Sequence, residues 1–229
     1  SSAASDVYKR QDTILDFHKA ERIALSKTLE SFDVAPDDEV LARYHVINLQ
    51  HWERLETGEL TRDQVQEGRF RVLFQELGRT VDPVQVTRTY ERNLGIGHYF
   101  LPGAEEAVQS LHKKYRLFLA SNGTASVQHS RLTSAGLYPY FEKVFVSQEI
   151  GYNKPARDYF EACFRQIPDF CPERAIMVGD SLTSDILGGI NAGIRTCWVN
   201  PAHAPARANI QPDYEIENLS QLEEVLKTL

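Results

Sequence analysis

From Leu101 onward the chain alternates short apolar runs with helix-length amphipathic segments, and this rhythm restricts the fold more than any other feature of the sequence. The runs are "YRLFLAS", "KVFVS", "RAIMVGD" and "IRTCWVN". Each has the length and the Val/Ile/Leu/Phe content of a strand covered on both faces. Between and beside them the pattern predicts helices over Pro102–Lys114, Ala125–Ala135, Pro155–Gln166 and Thr183–Ala192. Strands and helices in alternation build a parallel sheet with helices on both faces. Ligands of such sheets gather beyond the carboxyl ends of the strands, so the residues at those ends are the first candidates for function.

Upstream, from Asp16 to Gly97, the text is helical throughout. Val40, Tyr44 and Ile47 share one helical face, and Phe70, Leu73, Phe74 and Leu77 share another. "TRDQ" at Thr61–Gln64 has capping-box form, and Pro36 and Pro83 mark further helix starts. The expected architecture is α/β: a Rossmann-like parallel-sheet core over residues 1–15 and 98–229, with an all-helical domain over residues 16–97 inserted into it. A chain of 229 residues is long enough to bury cores of this kind.

The net charge of −7 excludes some partners, because its acidic residues are spread along the chain. Nucleic-acid binding needs a clustered basic face, so no nucleic acid is expected. No apolar run approaches the roughly 20 residues of a membrane-spanning helix, and residues 1–11 lack the apolar middle of a secretion signal. Cys163, Cys171 and Cys197 are odd in number and lack metal-binding spacing, which fits reduced thiols and a cytoplasmic location. "GIGHYF" at Gly95 has no strand before it and no third glycine, so it is not a dinucleotide fingerprint.

The strand ends hold three signals. "LFLASNG" puts Ser121, Asn122 and Gly123 where a strand stops and a helix begins, a place whose free N–H groups suit an anion. A plain N-cap with a turn glycine is the structural alternative. "GYNKPARDYF" puts Lys154 just before a helix start. A cation is unfavourable there unless it serves something anionic; a solvated surface lysine is the alternative. "AIMVGDSLTSDILGG" carries Asp180 at a strand exit and Asp185 five residues later. Two carboxylates form a hard-oxygen site of the sort magnesium prefers, although either aspartate could equally cap a helix.

Together these segments resemble the haloacid dehalogenase (HAD) superfamily of hydrolases, over nearly the whole chain after residue 11. The resemblance implies a HAD core with a small helical cap, magnesium as cofactor at Asp180 and Asp185, and catalytic roles for Ser121 and Lys154. It also implies that Asn122, Gly123, Asp12 and Thr13 contact the phosphoryl group. The helical text and the tail "TCWVNP" are similar to the YjjG/YfnB-type branch, described as pyrimidine nucleoside 5'-monophosphate phosphatases. The implied partner is a small phosphorylated metabolite, for a monomer or a homodimer. In the cap, Asn48 and Trp52 lie four apart on one helical face. They are candidates for contacting the base, with a cap-core tryptophan and a satisfied amide as the alternative; Arg69 and His51 are similar candidates.

One departure from the family pattern is sharp. With Thr13 as the motif threonine, the attacking and proton-transferring aspartates fall at positions 9 and 11, where this chain has Lys9 and Gln11. A charged ammonium cannot attack phosphorus, and an amide exchanges no proton near neutral pH. Residues 1–11, "SSAASDVYKRQ", also match the translation of a transposase adaptor used in sequencing libraries. They are therefore read as a non-native replacement of the first catalytic strand, and the chain as written is expected to be inactive. A sugar-phosphate phosphatase of the same superfamily and a non-catalytic phosphate- or nucleotide-binding module are the rival readings.

Overall fold

The computed structural model describes residues 13–56 and 59–228. Lys9, Gln11 and Asp12, on which the reading of the first strand rests, lie outside the described residues. The chain divides into two compact units, one of Lys19–Gly97 and one of Ser1–His18 with His98–Leu229.

The helical unit is built from α1 (Phe17–Glu30), α2 (Asp38–Glu56), α3 (Arg62–Glu76) and α4 (Pro83–Ile96). Local chemistry sets their starts. At α3 the Thr61 hydroxyl accepts from the Gln64 N–H while the Gln64 side chain accepts from the Thr61 N–H, satisfying two donors that a helix start leaves open. At α4 Asp82 caps and Pro83 occupies the first turn. The helix foreseen at Pro36 begins instead at Asp38, because the Asp37 carboxylate accepts from Val40 N–H and takes the capping place. The apolar faces meet in an aromatic centre. The rings of Tyr44, Phe70 and Tyr90 lie 5.2 to 6.1 Å apart, centroid to centroid. Ile47, Val65, Leu73 and Phe74 are buried around them.

In the second unit α5 (Ala104–Leu111) precedes β1 (Phe118–Ser121), α6 (Ala125–Ser134), β2 (Lys143–Val146) and the one-turn α7 (Ser147–Ile150). Then follow α8 (Arg157–Phe164), β3 (Ile176–Gly179), α9 (Leu187–Ala192), β4 (Arg195–Val199), β5 (Tyr214–Ile216) and α10 (Leu222–Leu226). Among the described residues the named strands pair in parallel, β1 with β2, and β3 with β4 with β5. Buried side chains pack the helices onto the strands, with Cys197, Val199, Leu111 and Leu222 in one cluster and Phe145, Tyr159 and Phe160 in another. The fold is thus the expected α/β class with parallel sheets.

In the second unit several elements differ from the pattern. The helix foreseen over Pro102–Lys114 runs over Ala104–Leu111. The helix foreseen from Pro155 starts at Arg157, since a turn closed by Ala156 N–H on Asn153 O occupies its first residues. The helix foreseen from Thr183 is replaced at its start by a π-helical turn, Leu182–Ile186, running into α9. The strand β5 was not foreseen, because its three residues carry too little pattern. Its place beside β4 is fixed from outside the strand: Asp213 accepts from both the N–H and the hydroxyl of Thr196, and Thr196 accepts from the Asp213 N–H.

Candidate active site

Lys154 and Asp185, both candidates from the sequence, meet at the carboxyl edge of the sheets. The Lys154 ammonium donates to the Asp185 carboxylate at 2.6 Å and to the Ala120 carbonyl at 2.7 Å. Both ionic side chains are less than a tenth exposed. Of the two readings of Lys154, the buried cation facing an anion is the one found, and in the protein alone that anion is Asp185. This ion pair ties the end of β1 to the exit of β3, two strands that belong to different hydrogen-bonded sheets among the described residues.

The loop after β1 is fixed by its own side chains. The Asn122 amide accepts from the Lys154 N–H and donates to the Lys154 carbonyl, each at 2.9 Å. The Ser121 hydroxyl accepts from the Gly123 N–H at 3.0 Å. Ala125, opening α6, donates to the Gln148 side chain at 2.9 Å. Ser121, Asn122 and Gly123 are thus held against the Lys154 loop.

The exit of β3 is equally constrained. Thr13 donates to an Asp180 carboxylate oxygen at 3.1 Å, which joins the first-motif threonine to the carboxylate pair. The Asp180 carbonyl accepts from the Trp198 indole at 2.9 Å. The second Asp185 oxygen accepts from the Ser181 N–H at 3.1 Å, while the Ser181 hydroxyl caps the π-helical turn at Ser184. That turn folds Asp185 back over the strand end. A Cβ at Gly179 would lie 2.4 Å from the Asp185 carboxyl, so only glycine permits the approach.

Each Asp185 oxygen accepts one bond, one from an ammonium and one from a backbone N–H, so in the protein alone Asp185 orients the lysine. A carboxylate has about four acceptor positions, and Asp180 and Asp185 both stand at the exit of β3. Among the described residues no three His, Cys, Asp or Glu side chains form a ready cage. Magnesium does not need one, since it keeps water and binds through one or two carboxylates plus substrate phosphate. The residues present are compatible with that ion through Asp180.

In the helical unit the Asn48–Trp52 pair takes the arrangement given as the alternative, an amide satisfied within the unit. The Asn48 amide points inward: its oxygen accepts from the Trp52 indole at 3.0 Å and from Arg69 at 2.9 Å, and its nitrogen donates to Glu21 at 3.3 Å. Three of the four bonds an amide can make are taken within the unit, so Asn48 acts as a support for Trp52. Arg69 is buried and boxed by the rings of Tyr44, Phe70 and Tyr90 at 4.9 to 5.9 Å. Burial pushes the Tyr44 hydroxyl well above its ordinary value, with the Arg69 charge opposing. His51 binds the Ile47 carbonyl and packs over Gly68, where a Cβ would come within 2.9 Å of the imidazole.

Sequence reasoning missed Ser181, Trp198 and Arg62. Trp198 stands opposite Gly179 in the strand register, which no spacing rule reveals. Arg62 sits beside the Thr61 cap, its guanidinium 5.7 Å from the centroid of the Trp52 ring. The capping box was the one available signal.

An α/β core that collects an ammonium, a hydroxyl and a carboxylate at the carboxyl edge of parallel strands has the layout of a hydrolase handling an anionic group. The chain belongs to the haloacid dehalogenase-like hydrolase family, whose model matches residues 7–193. YfnB of Bacillus subtilis (strain 168) is 39% identical over 215 residues, covering 94% of this chain and 92% of that protein. Two further relatives are pyrimidine 5'-nucleotidases. PynA of Streptococcus pneumoniae is 37% identical over 92% of this chain and 89% of its own length; YjjG of Escherichia coli is 32% identical over 80% of each. A crystal structure of YfnB bound to magnesium matches with a TM-score of 0.88 at 38% identity, covering 93% of both chains.

Proposed function

We propose that the family activity behind this chain is magnesium-dependent hydrolysis of pyrimidine nucleoside 5'-monophosphates, and that the chain as written binds such ligands without turning them over. The observation that carries the proposal is the buried Lys154–Asp185 pair joined to the Ser121–Gly123 loop. It is a prebuilt holder for a tetrahedral anion. Support for the substrate class comes from the naming of PynA and YjjG as pyrimidine 5'-nucleotidases, and support for the ion from the magnesium-bound YfnB structure.

Phosphate monoesters are among the slowest of biological bonds to hydrolyse, so an enzyme must remove about 20 kcal/mol or more from the barrier. In this reading Lys154 neutralises a phosphoryl oxygen and is aimed by Asp185 and Ala120 O. The Ser121 hydroxyl, held by the Gly123 N–H, orients another oxygen. Thr13 holds the Asp180 carboxylate in place. A magnesium ion bound there would supply further charge neutralisation and a template for the phosphate. In the helical unit Trp52, supported by Asn48, contacts the base. The family's two first-motif carboxylates form and break an aspartyl-phosphate, and at their positions stand Lys9 and Gln11.

The test is phosphate release from UMP with magnesium. The chain as written is compared with one whose first strand is an apolar run ending in Asp-x-Asp. The restored chain should be faster by on the order of 10⁴ or more. Equal rates would refute the assignment of positions 9 and 11, and a restored chain inert towards UMP but active on a sugar phosphate would refute the substrate class.

A further inference from the structure

The loop after β1 uses up donors that a helix start would otherwise hold out to an anion. The Gly123 N–H is given to the Ser121 hydroxyl, and the Ala125 N–H to the Gln148 side chain. The Asn122 carboxamide is bonded at both ends to the Lys154 backbone. A phosphate monoester presents three strongly accepting oxygens, each able to take more than one bond. Lys154, the Ser121 hydroxyl and an ion at Asp180 would leave several of those acceptor positions unfilled.

Gln128 stands where a further donor is needed. It lies on α6, and a helical side chain leans towards the N-terminus of its own helix, here back over the loop. A Cβ on Gly123 would lie 2.3 Å from Gln128 Nε2 and 2.9 Å from its Cγ. The carboxamide therefore rests on the Gly123 backbone, in room that only a glycine leaves. Gln128 is half-buried, and its carboxamide has no hydrogen-bond partner among the described residues. Asn122 and Gln148, the other two amides at this edge, are both bonded within the protein. Packing thus holds two N–H donors against the Ser121–Gly123 loop, and the chain itself gives them nothing to bind.

We infer that Gln128 is a phosphoryl-binding residue. Its Nε2 donates to an oxygen of the group that Lys154 and Ser121 hold, and Gly123 is a glycine so that the carboxamide can lie there. The choice of a phosphoryl group as the anion rests on the phosphatase reading above.

The experiment titrates orthophosphate calorimetrically at constant magnesium, into the full chain as written and into the chain with the restored first strand. Gln128→Ala should weaken phosphate about tenfold, the scale of one hydrogen bond to a charged group. Gln128→Glu keeps the shape but sets an acceptor-only carboxylate against the anion, and should weaken it further. The Gly123 backbone lies outside the left-handed region, so Gly123→Ala changes only the space beside it. That variant should lose as much affinity as Gln128→Ala, and the double variant should lose no more. A packing role for Gln128 predicts the opposite pattern: Gln128→Ala would bind as the parent does and would rescue Gly123→Ala. In the proton–nitrogen correlation spectrum, the side-chain NH2 pair that disappears in Gln128→Ala should shift when phosphate is added to the parent. Parental affinity in Gln128→Ala, affinity kept in Gln128→Glu, rescue in the double variant, an unmoved NH2 pair, or no saturable phosphate binding in either chain would each overturn the assignment. Its failure is separable from that of the nucleotidase reading. A restored chain that hydrolyses UMP, with phosphate affinity indifferent to Gln128, loses only this assignment. Gln128-dependent phosphate binding in a restored chain inert to UMP loses only the nucleotidase.

Discussion

Lys154 and Asp185 face each other in a setting where neither can turn to water, and this sets what substitution there does. Removing one partner strands the other charge, an effect that costs about 3–5 kcal/mol in buried pairs. Lys154→Met should therefore lower the unfolding free energy read from urea titration by that scale, and Lys154→Met/Asp185→Leu should recover most of the loss. A double variant as unstable as the single one would mean that the backbone contacts of Lys154, not its charge, hold the edge together. Half of this pair was legible in the sequence. A lysine ahead of a helix start signals an anion nearby, but nothing in the spacing from 154 to 185 identifies Asp185 as that anion. Asn48 illustrates the converse. Its helical register beside Trp52 was plain, while the direction of its amide is decided by Arg69 and Glu21, which reach it from other helices.

At the scale of elements, the exit of β3 matters most. The strand was readable because "AIMV" is continuously apolar and ends in Gly-Asp. The π-helical turn after it was not, because a run from Thr183 to Ala192 has ordinary helical spacing. Its extra width comes from Ser181, which caps Ser184 and donates its N–H to Asp185. Gly179→Ala is the direct probe. The new methyl meets a carboxyl that is pinned from two sides, so it cannot be absorbed by a rotamer change. Thermal unfolding should show a loss of about 1–3 kcal/mol, the range for overpacked sites, and UMP affinity should fall with it. A neutral Gly179→Ala would show that Asp185 is free to move. The short strand β5 gives the opposite lesson, since its position comes from a side-chain clamp in the residue before it.

For the whole molecule, the described interior holds weak acids in protonated form. Burial pushes the Cys163 thiol up to about 11 and the Cys197 thiol up to about 12. In the unfolded chain these thiols ionise near 8.5. At a pH between the two values the folded state binds more protons than the unfolded one, so stability falls as pH rises. The contribution is intact below about pH 8.5 and is lost progressively towards pH 11 to 12. Urea midpoints measured at pH 8, 9.5 and 10.5 should decline in that order, and a flat series would contradict the burial of both thiols. The class of fold could be read at this scale from strand–helix alternation alone. Which of the described strands pair, β1 with β2 and β4 with both β3 and β5, could not, because side-by-side placement leaves no mark in local pattern.

One consequence follows from where the chain passes between its units. Leu15 and Phe100 form an antiparallel bridge, with Asp16 N–H donating to Tyr99 O at 2.7 Å, and a Cβ on Gly97 would come 2.8 Å from that of Ala20. Departure and return are therefore neighbours, and everything strung between them is a detachable loop in the topological sense. A splice across that neck would sever none of the described strand pairings, so the helical unit is wired as an exchangeable insert in the chain that carries the sheets.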